Sequence, residues 1–573
     1  MFFIYSNKKG EDALKSINLR LPTTVKPISY NLTLNTQEIS HNNNIFNGSV
    51  SILIQVNQMT DQIFLNIGNS IILDFKKDVK VYEVGSDEDI HNSQNTYISK
   101  DDEMLIIQLT KFLDPNTKAL VKIDKYHSKY DELLKGLYKS SYKTNNETET
   151  LITSQLQPTE ARAVFPCFDE PTYKATFKIS IIRPIGYRSL SNAQMMSTRK
   201  VNDKFELDEF QETPLMPTYI LAFVVSKFEY LEAKFSGNKT LRVHVQPSLL
   251  DGAHVSLNSS KLFLEKFEEY FNYDYPLDKL DMVAVPDFTA GAMENWGLVI
   301  FRETSMIWHP SVSTSKYLEK VTKIVFHELG HMWFGNLVTL TWWKHLWLNE
   351  GFASFTETLG LREVYPEWYG NNSLHFELSS LFTTDQKNHT HPVIVDVDRN
   401  SDINSLFDDI SYVKGNAIIN MIEGLLAPKH FQETLIAYFK KFAYKNVESN
   451  DLLSHLDDER MMFAKPKVNE SGLIPYSSTL WPIPITFLTN RNSSKKTNEI
   501  FTLFDEKNTT IYVEFDKDDD WILLNTARKN YYSTNYDDLL WERLAEILWN
   551  NHTVIPVENR AMLIDDVMRL SLA

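Results

Sequence analysis

Residues 318–332 read Leu-Glu-Lys-Val-Thr-Lys-Ile-Val-Phe-His-Glu-Leu-Gly-His-Met. Leu318, Val321, Ile324, Val325, Leu329 and Met332 recur at spacings of three and four, which predicts an amphipathic helix. The helix is expected to stop near Gly335-Asn336. Within it, His327 and His331 stand four residues apart, so both imidazoles project from one side. Two such rings can grip one metal ion, with zinc–nitrogen bonds of about 2.0 Å. A third ligand must come from elsewhere, and a catalytic metal needs its fourth position open to water. Another helix is expected from about Asn349 to just before Pro366, and it carries Glu350. Residues 332–349 allow a loop and a return, so Glu350 is the natural third ligand. Glu328, between the histidines, suits a general base acting on water. Gly330 is expected only to lower local helix propensity. A chance His-Glu-x-x-His arises roughly once in fifty chains of this size and composition, and a glutamate at one required later position is about fifteenfold rarer still.

Outward from this core the texture changes. The first ~230 residues alternate apolar and polar, as in Ile28 to Leu34, and Val50, Ile52, Ile54 and Val56 share one face. Period-two patterning predicts antiparallel sheets with one solvated face. From about Leu257 helical periodicity takes over, including a helix at roughly Ser411–Leu426 with Pro428 beyond its end. Strand texture returns at residues 483–488, 500–504 and 510–515, and helical texture again from about Tyr536. The expected fold is a multidomain α+β chain: an N-terminal antiparallel β domain (1–230), a mainly helical thermolysin-like catalytic domain (231–470), a small β-sandwich domain (471–535), and the start of a helical domain (536–573).

A chain of 573 residues exceeds what one hydrophobic core serves, in line with several domains. Its net charge of -17 argues against nucleic acid or an anionic membrane as the main partner. The single cysteine, Cys167, excludes an internal disulfide and reads as a buried small hydrophobe. No stretch reaches the ~18 apolar residues of a membrane span, and the start lacks the pattern of a secretion signal. As written, the chain is expected to be soluble. Asn-x-Ser/Thr acceptors such as Asn31, Asn238 and Asn551 point instead to a cell-surface or secretory-pathway lineage.

Upstream of the histidines lies Gly291-Ala292-Met293-Glu294-Asn295. With His327-Glu328-x-x-His331, eighteen residues and then Glu350, it resembles the signature of the gluzincin aminopeptidases of the aminopeptidase N family. The flanks Trp333 to Thr339 and Trp347 to Ala353 are similar as well. The resemblance runs from about Leu19 to Ala573. It implies one zinc ion per chain, held by His327, His331 and Glu350, and peptide substrates with a free N-terminus. It also implies that Glu294, aided by Gln155, binds the substrate's amine. Gly291 and Ala292 would lie against the substrate backbone, and Met293 would wall the first side-chain pocket. Tyr412 matches the tyrosine that stabilises the oxyanion, and Glu328 the general base. Gln155 by itself would be a surface glutamine and Tyr412 a buried helix tyrosine; only the motif context changes that. Against the family pattern, a Trp-Thr-x-Gln-x-Gly-x-Pro segment is absent after Leu456, and most of the C-terminal helical domain is missing. A truncated, inactive product with a binding or regulatory role is therefore the alternative to a working enzyme. The oligomeric state is unknown from sequence.

Overall fold

The structure is a computed structural model that describes residues 20–456 except 38, 40–43, 145–146, 369–370 and 388–389. It also describes residues 483–489, 500–504, 510 and 521–572. Most of the expected strand at 510–515, and the absent segment after Leu456, fall outside the described residues.

The N-terminal region is built on a seven-stranded sheet whose spatial order is 195–200, 205–210, 176–184, 25–35, 45–56, 118–129 and 79–83. Strand Ile45–Val56 buries every second residue, as the alternation predicts. One expectation fails. Val25–Asn35 pairs antiparallel with Ile45–Val56 but parallel with Thr176–Pro184, with Tyr30 opposite Phe177. The sheet is therefore mixed. The long intervening chain supplies the crossover that a parallel pair requires, and alternation within a strand carries no sign of its partner's direction. Tyr30 stacks on Phe177 with centroids 4.6 Å apart, and Cys167 is buried in the same core, as expected. A four-stranded sheet, in the order 188–191, 223–226, 147–155 and 136–144, leads the chain toward the site through Glu147–Gln155.

The region expected to be mainly helical contains more strand than its sequence implied. A five-stranded sheet runs in the order 229–235, 239–245, 279–285, 298–302 and 292–293. Three of its strands are parallel, and the edge strand Ala292–Met293 is antiparallel. Lys279–Val285 is buried at every position. A strand covered on both faces has no polar–apolar alternation to read.

Against this sheet pack helices α1 (His254–Phe271) and α2 (Ser315–Gly330), and α3 (Trp347–Val364) packs on both helices. Helix α2 stops about five residues earlier than predicted, with His331 as its C-cap. The chain then turns sharply, burying Met332, Trp333 and Phe334, and reaches Gly335 at φ 130°, a conformation glycine favours. Apolar spacing continued past the helix because the turn is buried too. Beyond α3 come α4 (Asn371–Asp385), a widened π turn at Ile410–Lys414, and α5 (Gly415–Leu426). One continuous hydrophobic core extends from Leu21 to Leu456.

The C-terminal unit has its own small core of Leu488, Trp521, Leu523, Tyr536, Leu544, Ile555 and Leu563. A sheet of 500–504, 483–489 and 522–524 stands beside helices α6 (Asp538–Asn551) and α7 (Val557–Leu572). No described helix is long and apolar enough to cross a membrane.

Candidate active site

Helices α2 and α3 bring three donor atoms to one point. His327 Nε2 and His331 Nε2 are 3.2 Å apart. Glu350 Oε2 lies 3.2 Å from the first and 3.3 Å from the second. His327 Nδ1 meets the Glu357 carboxylate at 2.8 Å, and His331 Nδ1 meets the Phe334 carbonyl at 2.9 Å. Both partners accept, so in the neutral rings both hydrogens sit on Nδ1 and both Nε2 atoms present lone pairs. Two nitrogen lone pairs and a carboxylate oxygen thus face one another with no hydrogen between them. That arrangement requires positive charge at its centre. Three ligands about 2.0 Å from a tetrahedral ion stand about 3.3 Å from one another, so the residues present fit a divalent cation such as zinc with its fourth position open. In the ion-free chain protons fill the same need. Burial opposes charging His331, but Glu294 and Glu350 carry its pKa up to about 9. Burial likewise opposes ionising Glu350, yet His331 and His327 hold its pKa at about 2.

The donor residues are braced from outside. Glu357 lies seven residues beyond Glu350, two turns along the same face of α3, and it fixes the tautomer of His327. Lys323 in turn pairs with Glu357 at 3.4 Å. Sequence reasoning passed over Glu357; the seven-residue spacing from a proposed ligand was the available signal. Gly330 also proves to be more than a weak helix former. A Cβ there would lie 1.9 Å from Thr356 Oγ1 and 2.9 Å from Thr356 Cβ, so glycine lets α2 and α3 approach. A second glycine contact works in the same way. Gly351 follows Glu350 and abuts Gly415, where a Cβ on Gly351 would come within 2.9 Å of Gly415 backbone. This contact draws the Ile410–Lys414 turn, and with it Tyr412, over the donor triangle. The Tyr412 ring stacks parallel to His327 at 5.6 Å.

Around the triangle opens a cleft of about 340 Å³. Gln155, Ala292, Glu294, His327, Glu328, His331, Glu350 and Tyr412 line it, together with Gln157 and Phe407. Gly291 and Met293 are not on its wall: Gly291 is exposed, and Met293 is buried with its sulfur 3.7 Å from Gln155 Nε2. Glu294 is buried, and its backbone carbonyl accepts from Asn336 Nδ2 at 2.9 Å. Its Oε1 accepts from Gln157 Nε2 at 3.2 Å. Gln157 was also missed, although it stands in the turn two residues past Gln155, the last residue of that strand. Burial raises the Glu294 pKa. Glu328 is raised to about 8, chiefly by burial, and its Oε2 finds no partner among the described residues. Burial and the neighbouring carboxylates push the Tyr412 phenol well up, so it remains a hydrogen-bond donor.

Comparison with known proteins gives these residues a lineage. Residues 26–220 match the peptidase M1 N-terminal domain and residues 255–470 match the peptidase family M1 domain. The chain is similar to aminopeptidase Ey of Gallus gallus, 32% identical over 97% of this chain and 61% of the chicken protein. Aminopeptidase M1-A of Oryza sativa subsp. japonica is 34% identical over 92% of this chain and 62% of its own length. Glutamyl aminopeptidase of Homo sapiens is 30% identical over 97% and 60% respectively. The chain therefore spans about three fifths of the length of these relatives.

Proposed function

Because the chain belongs to peptidase family M1, we propose that it is a zinc-dependent aminopeptidase releasing single residues from the free N-terminus of peptides. The observation that carries this reading is the triangle of lone pairs on His327, His331 and Glu350, set in one cleft with the buried carboxylate of Glu294.

Zinc held there would polarise the scissile carbonyl and acidify water at the open position. The chain's own residues divide the remaining work. Glu294 faces the cleft as a fixed anion for the substrate's ammonium group, braced by Gln157 and flanked by Gln155. Anchoring the amine one peptide bond from the metal limits cleavage to the first residue. Ala292, on the edge strand, offers its neighbouring backbone to an extended peptide, with Gly291 leading into that edge. Glu328 takes the proton of the attacking water and returns it to the leaving nitrogen. Burial keeps it protonated up to about pH 8 in the ion-free chain; beside a divalent cation the same carboxyl ionises at lower pH, which suits a base. Tyr412 donates to the developing oxyanion, a contribution worth about 3 kcal/mol in comparable sites.

The test uses the purified chain on an aminoacyl reporter and on the same peptide N-acetylated. Hydrolysis that stops with chelator, returns with zinc and spares the acetylated peptide is expected. Glu328→Ala should keep its zinc and lose turnover by about 10³-fold or more. Near-normal hydrolysis by that variant, or equal cleavage of the acetylated peptide, refutes the reading.

A further inference from the structure

Tyr412 occupies the widened turn Ile410–Lys414, where Lys414 N reaches back to Asp409 O at 3.0 Å. Such π turns are rare and tend to occur at functional sites. The glycine contact beneath it lets the turn approach α3 but does not fix where the phenol points. A second support comes from Lys414, two residues after Tyr412. Lys414 Nζ pairs with Asp385 Oδ2 at 2.7 Å, both side chains largely buried. Asp385 is the last residue of α4, and the same oxygen accepts from Tyr531 Oη at 2.8 Å. Tyr531 belongs to the C-terminal unit, following strand 522–524, and its ring lies flat on Phe382 of α4 with centroids 4.8 Å apart. That unit grips α4 a second time through Asp565, which accepts from Ser379 Oγ at 2.5 Å. A hydrogen-bonded chain thus runs from the C-terminal unit through Tyr531, Asp385 and Lys414 to the turn that carries Tyr412.

We propose that Asp385 is a positioning residue for Tyr412, and that Tyr531 holds Asp385 in place, so that docking of the C-terminal unit on α4 sets the aim of the phenol in the cleft. The proposal rests on the role given to Tyr412 above. It follows from leverage. The pair is short, mostly shielded from water and charge-assisted, so its geometry is well defined. Lys414 and Tyr412 share one turn, and displacement of a catalytic group by about 1 Å costs on the order of 10²-fold in rate. The Tyr531 ring also packs against the cluster that holds Ile410 and Val413 of the same turn, so the hydroxyl's hydrogen bond is the part of this contact that Tyr531→Phe isolates.

The experiment is a double-mutant cycle on the full zinc-loaded chain. Tyr531→Phe removes one oxygen and leaves the ring stack, so the unit still docks. It should lower kcat about threefold to tenfold, with KM and zinc content unchanged. Asp385→Asn should lower kcat about tenfold or more in the same way. In a Tyr412→Phe background neither substitution should change kcat by more than about twofold. Other results overturn the proposal. A shifted thermal midpoint with kcat intact in Asp385→Asn and Tyr531→Phe marks a purely structural role. An equal loss of kcat in Asp385→Asn with and without the Tyr412 hydroxyl places its action elsewhere. Full kcat in Tyr412→Phe alone removes the role of Tyr412 and this inference with it; a slow Tyr412→Phe enzyme beside a normal Asp385→Asn enzyme removes the inference only.

Discussion

The donor triangle and the wall that faces it are built in opposite ways. His327, His331 and Glu350 lie on two consecutive, packed helices, and their braces Glu357 and Phe334 belong to the same short stretch of chain. The facing wall is gathered from afar: Gln155 and Gln157 from the end of an N-terminal strand, Glu294 from a sheet edge, Tyr412 from a π turn. Helix geometry fixes the first group almost alone. The second exists only once several regions have packed. The triangle should therefore fail all at once when touched, whereas the wall should fail by degrees.

Substitution at Glu350 tests the first half of that contrast. Glu350→Gln exchanges the anionic ligand for a neutral amide and leaves two imidazoles, one ligand short of a site. Metal content should fall to trace and turnover by more than about 10³-fold, read by elemental analysis and reporter hydrolysis on the same preparation. Stoichiometric metal in that variant would show that the triangle is not the site. Substitution at Glu294 tests the second half. Glu294→Gln keeps the shape and removes the charge. Metal should stay, and kcat/KM for free-amine substrates should fall about 10- to 100-fold, the worth of a charge-assisted bond. The preference over N-acetylated peptides should shrink in step. A variant that loses metal as well would join wall and triangle into one unit and end the comparison.

The same contrast explains how far the sequence could be read. Helices α2 and α3 carry their periodicity and their donor residues at fixed spacing, so the convergence of His327, His331 and Glu350 was legible. Glu357 was equally legible, seven residues past Glu350, but a brace declares itself only when its partner's ring orientation is known. Gln157 lies in the turn after an interior strand, where no periodicity applies, and whether Ala292 or Met293 faces the cleft depends on which way the edge strand faces, which spacing alone does not fix. The parallel pairing of Val25–Asn35 with Thr176–Pro184 joins segments far apart in the chain, and a strand's own alternation does not record its partner. Lys279–Val285 hid inside a region read as helical because a fully buried strand has no alternation. The π turn at Tyr412 was read as the start of an ordinary helix, since the same apolar spacing serves both.

Gly330 offers a sharper test, because propensity and packing predict opposite signs there. Alanine in place of a helix glycine stabilises by about 1 kcal/mol on propensity. In the structure the added methyl meets Thr356, a β-branched, buried side chain whose hydroxyl already donates to Ala353 O at 2.8 Å. Rotation of that hydroxyl does not clear Thr356 Cβ, so α2 and α3 must separate. Gly330→Ala should destabilise by about 1–3 kcal/mol, seen as a lower thermal midpoint. Because the two helices carry all three ligands, metal affinity should weaken with it. A raised midpoint would restore the propensity reading.

The smallest effect is a divergence with pH between ion-free and ion-loaded protein. In the ion-free chain Glu328, raised by burial to about 8 from its usual 4.5, keeps a proton that the unfolded chain releases. Its contribution is full below pH 4.5 and is lost as pH rises to about 8. His331, raised to about 9 from 6.5 by Glu294 and Glu350 against the effect of burial, contributes fully below 6.5 and loses that contribution by about 9. Glu350, held at about 2, runs the other way: its contribution is intact above 4.5 and is lost only as pH falls toward 2. Between pH 6.5 and 9 these terms all decline, whereas Lys174, which burial lowers to about 7 from its usual 10.5, gains stability as pH rises above 7, so the slope that belongs to the triangle is the difference between the chelated and metal-loaded midpoints. With metal present the histidines are already unprotonated, and the ion competes with protons that grow scarcer, so the stabilising increment from the ion should rise with pH. Melting curves with and without chelator at several pH values would read both slopes. An ion-dependent increment that stays level or shrinks from pH 6.5 to 9 would mean that protons do not fill the triangle when the metal leaves, and that its lone pairs are reconciled by some rearrangement of α2 and α3 instead.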